Sequence, residues 1–133
     1  MKIFRWISII VLCLLAAGAI LMLFRGNEDS WIRDDRGVWI KHGNPKDTPD
    51  EVTQQQEQIK KAQAIYADAV SKNTSFTNGP CLGTISDDWV LDLVHSHRDP
   101  IDDRPGNQCS DFLIGKAHHF IELDLQGDLV RIY

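Results

Sequence analysis

From Trp6 to Phe24 the chain runs for 19 residues without a charge, and Ser8 is the one plainly polar side chain among them. A helix of that length rises about 28 Å, close to a bilayer core of roughly 30 Å, and it bonds its own backbone as lipid requires. This run constrains the fold more than any other feature. It predicts a transmembrane anchor over residues 1–25, with room for one domain beyond it. Lys2 and Arg5 precede the run; Arg25 follows it, and the chain then turns acidic at Glu28 and Asp29. That asymmetry places the N-terminus in the cytoplasm and the remainder outside, as a single-pass protein of the cell membrane with the bilayer as its partner through residues 6–24. The rival is a cleaved signal. Ala17-Gly18-Ala19 fits a small-x-small site, but cleavage there leaves Ile20 to Phe24 as a greasy new N-terminus. Cys13, in mid-run, reads as a buried, inert thiol.

Three of the 14 Lys and Arg belong to the flanks of that run, so eleven face 19 Asp and Glu beyond residue 25. An excess of eight negative charges on some 108 residues repels nucleic acid and anionic lipid. It points to solubility rather than to any partner. Two cysteines remain in this part, Cys81 and Cys109. Outside the cytoplasm such a pair reads first as a disulfide, closing a loop of about 28 residues.

Residues 26–30 form a short polar linker, and residues 31–133 the extracytoplasmic domain. Trp31-Ile32 and Val38-Trp39-Ile40 flank an Asp-rich turn with Gly37, the pattern of a hairpin across which Trp31 and Trp39 could stack. Thr48 and Glu51 stand in capping-box spacing around Pro49 and Asp50. Val52, Ile59, Ala62, Ile65, Tyr66, Ala69 and Val70 then recur at three- and four-residue steps, which predicts a helix over 49–71. Gln54, Gln55, Gln56, Lys60, Lys61 and Asp68 fill its other face. Trp89, Leu91 and Leu93 alternate with Val90, Asp92 and Val94, as in a strand. Residues 96–106 read as loop, and the stretch around Cys109, Phe112 and Leu113 as a short helical turn. At the C-terminal end Ile121, Leu123 and Leu125 share one face, with His118, Phe120, Glu122 and Asp124 on the other. Gly127 allows the tight turn of a final hairpin. The fold class is therefore α+β: one long helix packed on antiparallel hairpins.

Several residues could carry chemistry. His95 and His97, two apart on a strand, could chelate one ion, with His118 or His119 and an oxygen of Asp99, Asp102 or Asp103. Such a mixed set would suit zinc, and His95, His118 and Asp102 are the residues that would form it. Two histidines two apart arise easily by chance, so the competing reading is a pair of polar loop residues. His118 and Glu122 share a face and could form an acid-base couple; an exposed ion pair is the simpler reading. No Gly-x-Ser-x-Gly, His-Glu-x-x-His or phosphate-binding glycine loop is present, and no residue stands out as catalytic. Asp102, Asp103, Arg104 and Asn107 are the makings of an ordered loop network near the crosslink, with Asp capping backbone amides and Arg pairing with a carboxylate.

The segments "WIRDDRGVWIKHGNP", "NGPCLG", "DWVLDLVHSHRDPIDDRPGNQC" and "GKAHHFIELDLQGDLVRIY" together resemble a group of small, uncharacterised, single-span proteins from bacteria with reduced genomes. The resemblance implies an N-terminal anchor or signal followed by one short domain, and no activity. Members of that group often carry a cysteine near Arg33 and tend to have proline where His97 stands, which weakens the His95-x-His97 chelate. The sequence thus leads to a membrane-anchored extracytoplasmic module, non-catalytic, that binds or supports an unknown ligand or envelope protein and needs no cofactor. The alternative is a metal-binding protein or metal-dependent enzyme using His95, His118 and the Asp99–Asp103 loop.

Overall fold

The computed structural model describes residues 2–25 and 29–133, with side chains of the first helix described from Trp6 to Leu21. In chain order the elements are α1 (Lys2–Arg25), β1 (Ser30–Arg33), β2 (Trp39–His42), α2 (Asp50–Ser71), β3 (Cys81–Ser86), β4 (Trp89–Val94), α3 (Ser110–Leu113), β5 (His119–Asp124) and β6 (Leu129–Ile132). The three helices and two sheets make a small α+β fold. Two compact units partition it: residues 1–32 with 41–47, and residues 33–40 with 48–133. Most of the linker expected at 26–30 lies outside the described residues.

The first unit contains α1. Among the described residues no helix is long and apolar enough to cross a membrane. This corrects the anchor expected from Trp6 to Phe24. The expected far end, Phe24, lies outside the described side chains. The bilayer contact and the single-pass orientation rested on that anchor and are not carried further. Cys13 is free and exposed on α1, not buried. Elsewhere in this unit the Trp31 Nε1 donates to the Asp47 carbonyl at 3.0 Å.

The second unit is built on a four-stranded sheet of order β3-β4-β5-β6. β3 and β4 are antiparallel, as are β5 and β6, but β4 and β5 run parallel. Antiparallel hairpins alone therefore do not describe it. The crossover from β4 to β5 carries the loop after His95 and α3, and parallel strands need such a connection. Leu91, Leu93, Ile121 and Leu123 are fully buried on one face of the sheet, in a core that includes Trp89, Ile132 and Ala62 of α2. The opposite face carries a smaller cluster of Val90, Cys109 and Ala117, with Phe112 and Phe120 packed against it.

Helix α2 starts where expected, with Asp50 and Glu51 in its first turn, but Pro49 is its N-cap and no side-chain capping bond forms there. Two of its glutamines are not on a solvated face. Gln55 and Gln58 are buried. Gln55 accepts from the Trp39 amide at 2.8 Å and donates to the Gly37 carbonyl at 2.9 Å, so it fastens residues 37–39 to α2. Gln58 accepts from the Ser86 hydroxyl at 3.0 Å. Trp39 itself lies under the Arg33 guanidinium, 4.7 Å from the ring centroid, so each of the two hairpin tryptophans takes a partner other than the stacking expected. In the final turn Asp124 accepts from the Gln126 and Asp128 amides, both at 2.9 Å.

Candidate functional site

Strand register assembles a polar row on the face away from α2. Cys81 pairs with Asp92, Asp92 with Glu122, and Glu122 with Arg131. Alternation along each strand puts these four side chains on one face, because the large aliphatic residues between them take the other. The row runs from β3 to β6, and its two carboxyl groups, Asp92 and Glu122, are buried.

One end of the row is crosslinked. Cys81 and Cys109 form a disulfide, with Cα atoms 5.0 Å apart. The Asn107 carbonyl accepts from the Cys81 amide at 2.8 Å beside it. Asp102 organises the loop after His95. It is 1% exposed; Oδ2 accepts from the His95 and Asp99 amides at 3.2 and 2.9 Å, and Oδ1 meets the His95 Nδ1 at 2.7 Å. Burial works against its charge, yet the Asp99 amide, the His95 ring and the His95 amide together hold its carboxyl below the usual range. The Asn107 Nδ2 donates to the Ile101 carbonyl at 2.8 Å and closes the loop. Gly79 allows this fit. At φ +61, a Cβ there would lie 2.6 Å from Asp102 Oδ1 and 2.8 Å from the Leu93 carbonyl, closer than real Cβ atoms come.

The centre of the row is electrostatic. Glu122 is 4% exposed and two guanidiniums clamp it. Arg98 Nη1 and Arg131 Nη2 donate to Oε1, and Arg131 Nε to Oε2, each at 3.0 Å. Arg98 also reaches Asp103 at 2.9 and 3.0 Å. Asp92, beside Glu122 on the parallel strand, is 8% exposed. Burial first, and then the Glu122 carboxylate, push Asp92 up from 3.8 to about 7, against the pull of Arg98. Water cannot hydrate the charge, and the neighbouring ion has the same sign.

Above the row lies a cavity of about 220 Å³, walled by Val90, Phe112, Leu113 and Phe120 and floored by Asp92, Arg98, Glu122 and Arg131. Phe112 meets Phe120 edge-on at 4.9 Å, and the Arg131 guanidinium sits 4.9 Å from the Phe120 centroid. Apolar walls with a few convergent polar groups and a perturbed acid are the ordinary marks of a ligand site.

The residues singled out from the sequence divide between two places. His95 and Asp102 come together; His97 is exposed on the loop. His118 goes elsewhere: its Nδ1 meets Asp88 Oδ1 at 2.7 Å, and its ring and amide hold Asp88 below the usual carboxylate range. Glu122 turns to Arg98 and Arg131. Among the described residues, the one group of metal-ligand side chains is Cys81, Asp92 and Cys109, with atoms within 4.8 Å of one another. Its two sulfurs are bonded to each other. Of the expected loop network, Asp102 and Asn107 form the framework, Asp103 pairs with Arg98, and Arg104 contributes its carbonyl to the Asn107 amide at 2.8 Å.

Sequence reasoning gave no role to Asp92, Arg98 or Arg131. The one available signal was the alternation that sets Asp92 and Glu122 amid apolar residues of two strands. Compared with family models, curated proteins and solved structures, the chain matches none. The cavity's function therefore rests on its own chemistry.

Proposed function

We propose that the chain is a non-catalytic binding module, whose site is the cavity over Asp92 and Glu122, and that it works outside a reducing cytoplasm, where its disulfide forms. The disulfide supports that compartment, because such bonds persist in oxidising spaces.

One observation carries the ligand class: hydrogen-bond donors in the cavity outnumber free acceptors. Three of roughly four acceptor positions on Glu122 are filled by arginine. Of the roughly five N–H donors on each guanidinium, three of Arg98's go to Glu122 and Asp103 and two of Arg131's to Glu122; about five remain free, and a protonated Asp92 offers one more. The ligand therefore brings the acceptor, a carbonyl or carboxylate, and lays an apolar body against Val90, Phe112 and Phe120. About 150 Å³ suffices for a benzene-sized guest, so the cavity takes one ring with a short polar arm.

Saturation-transfer NMR on the full chain tests this with phenylacetate and benzylamine. Phenylacetate binds, benzylamine does not, and Leu113→Trp at the cavity mouth abolishes the phenylacetate signal. Equal signals from both probes, or a phenylacetate signal untouched by Leu113→Trp, would defeat the reading.

A further inference from the structure

We propose that the Cys81–Cys109 disulfide exchanges with an external thiol, and that Asp92 is the acid that protonates the departing Cys109 sulfur. The inference does not depend on what fills the cavity.

Three observations converge on it. Asp92 Oδ1 lies 4.0 Å from Cys109 Sγ, and an Asp92 oxygen and both sulfurs fall within 4.8 Å of one another. The two sulfurs differ in setting: Cys109 is 4% exposed, while Cys81 is half-buried and accepts the Gly83 amide at 3.2 Å. The cavity is lined by both Cys109 and Asp92, so the acid and the sulfur face one space.

The chemistry follows from that asymmetry. An external thiolate attacks the more accessible sulfur, Cys81; its electron pair forms the new S–S bond, and the old bond's pair leaves on Cys109. A thiolate buried there is costly, and bond cleavage is faster when the leaving sulfur is stabilised. The Asp92 carboxyl gives its proton to Cys109 and becomes a carboxylate. A second external thiolate then attacks the mixed disulfide, releasing the external disulfide and Cys81 as a thiolate, which takes a proton from solvent. In total two external thiols are oxidised and one protein disulfide is reduced. The groups facing Asp92 decide when its proton is present: Glu122 on β5 favours the neutral acid, Arg98 on the loop opposes it, and Asp102 adds to Glu122. Arg131 on β6 is held on Glu122. A crosslink serving only as a staple needs no acid, and burying one beneath it lowers stability.

The test uses the full chain with glutathione, in a non-ionic detergent because the apolar side chains of α1 are exposed. Iodoacetamide quenches the reaction, and mass spectrometry counts the opened sulfurs. Rates are expressed per glutathione thiolate. At about pH 6 the wild type opens at least about tenfold faster than Asp92→Asn, and the two converge by about pH 9. The wild-type rate per thiolate also falls through an ionisation near 7, which decides the matter even if the variant folds poorly. A wild-type rate per thiolate independent of pH, or an Asp92→Asn chain that opens as fast as wild type at about pH 6, overturns the proposal.

Discussion

Asp92 is the residue on which the polar row turns. Its carboxyl titrates at 3.8 when unfolded and about 7 when folded. Between those values the folded chain holds a proton that the unfolded chain has lost. Stability from this group is thus fully present below pH 3.8 and lost as pH rises through about 7. At about 1.4 kcal/mol for each pKa unit, the loss is on the order of 4 kcal/mol. Asn cannot titrate, so Asp92→Asn should be the more stable chain at about pH 8, with the gap closing toward pH 5. Urea midpoints across that range measure it; parallel curves for the two chains would contradict the argument. The alternation of β4 and β5 was legible in the sequence, face by face. The pairing of Asp92 with Glu122 was not, because a parallel register is set across a crossover of some two dozen residues that no local pattern fixes. His118 shows the same limit: it lies just before β5, and its partner is Asp88 from the turn before β4 rather than Glu122.

Among the elements, α2 was the most legible, because an apolar stripe at helical spacing needs no tertiary information. Its buried glutamines were not. A glutamine on a helix reads as solvated until the backbone that needs it is known, and here that backbone is Gly37 and Trp39. Gln55→Ala leaves one amide and one carbonyl of that segment without their partner, at a cost of about 1–3 kcal/mol. Amide exchange at Trp39 should quicken strongly, while that at Leu91 and Leu123 quickens only as far as the loss of global stability dictates; an unchanged Trp39 amide would contradict the role given to Gln55. Strand β3 escaped notice for a different reason. Irregular register between Cys81 and Gly83 and between Thr84 and Ser86 breaks the two-residue period that marks a strand. Its remaining signal was a run with Leu82, Thr84 and Ile85 ending at Asp87-Asp88, the turn into β4.

For the molecule as a whole, the α+β class and the Cys81–Cys109 bridge were both readable, the bridge from a lone cysteine pair together with the placement expected outside the cytoplasm. The N-terminal run was readable as apolar and helical, but the anchor inferred from it does not stand. The bridge joins residues 28 apart, and on chain-entropy grounds it contributes about 3 to 4 kcal/mol. Cys81→Ser with Cys109→Ser should lower the urea midpoint accordingly, and loosen the 95–109 loop first, since that segment is fastened to β3 beside the bond. An unchanged midpoint would show that the loop's own network around Asp102 suffices. The thiol exchange depends on one protonated carboxyl in the cavity, and the acceptor ligand gains a donor from it. Carbon-13 NMR of the aspartate carboxyl carbons, titrated from about pH 3 to 9, observes it directly. One resonance, absent in Asp92→Asn, should shift with a midpoint near 7. If the resonance lost in that variant titrates near 4 with the ordinary aspartates, the account fails.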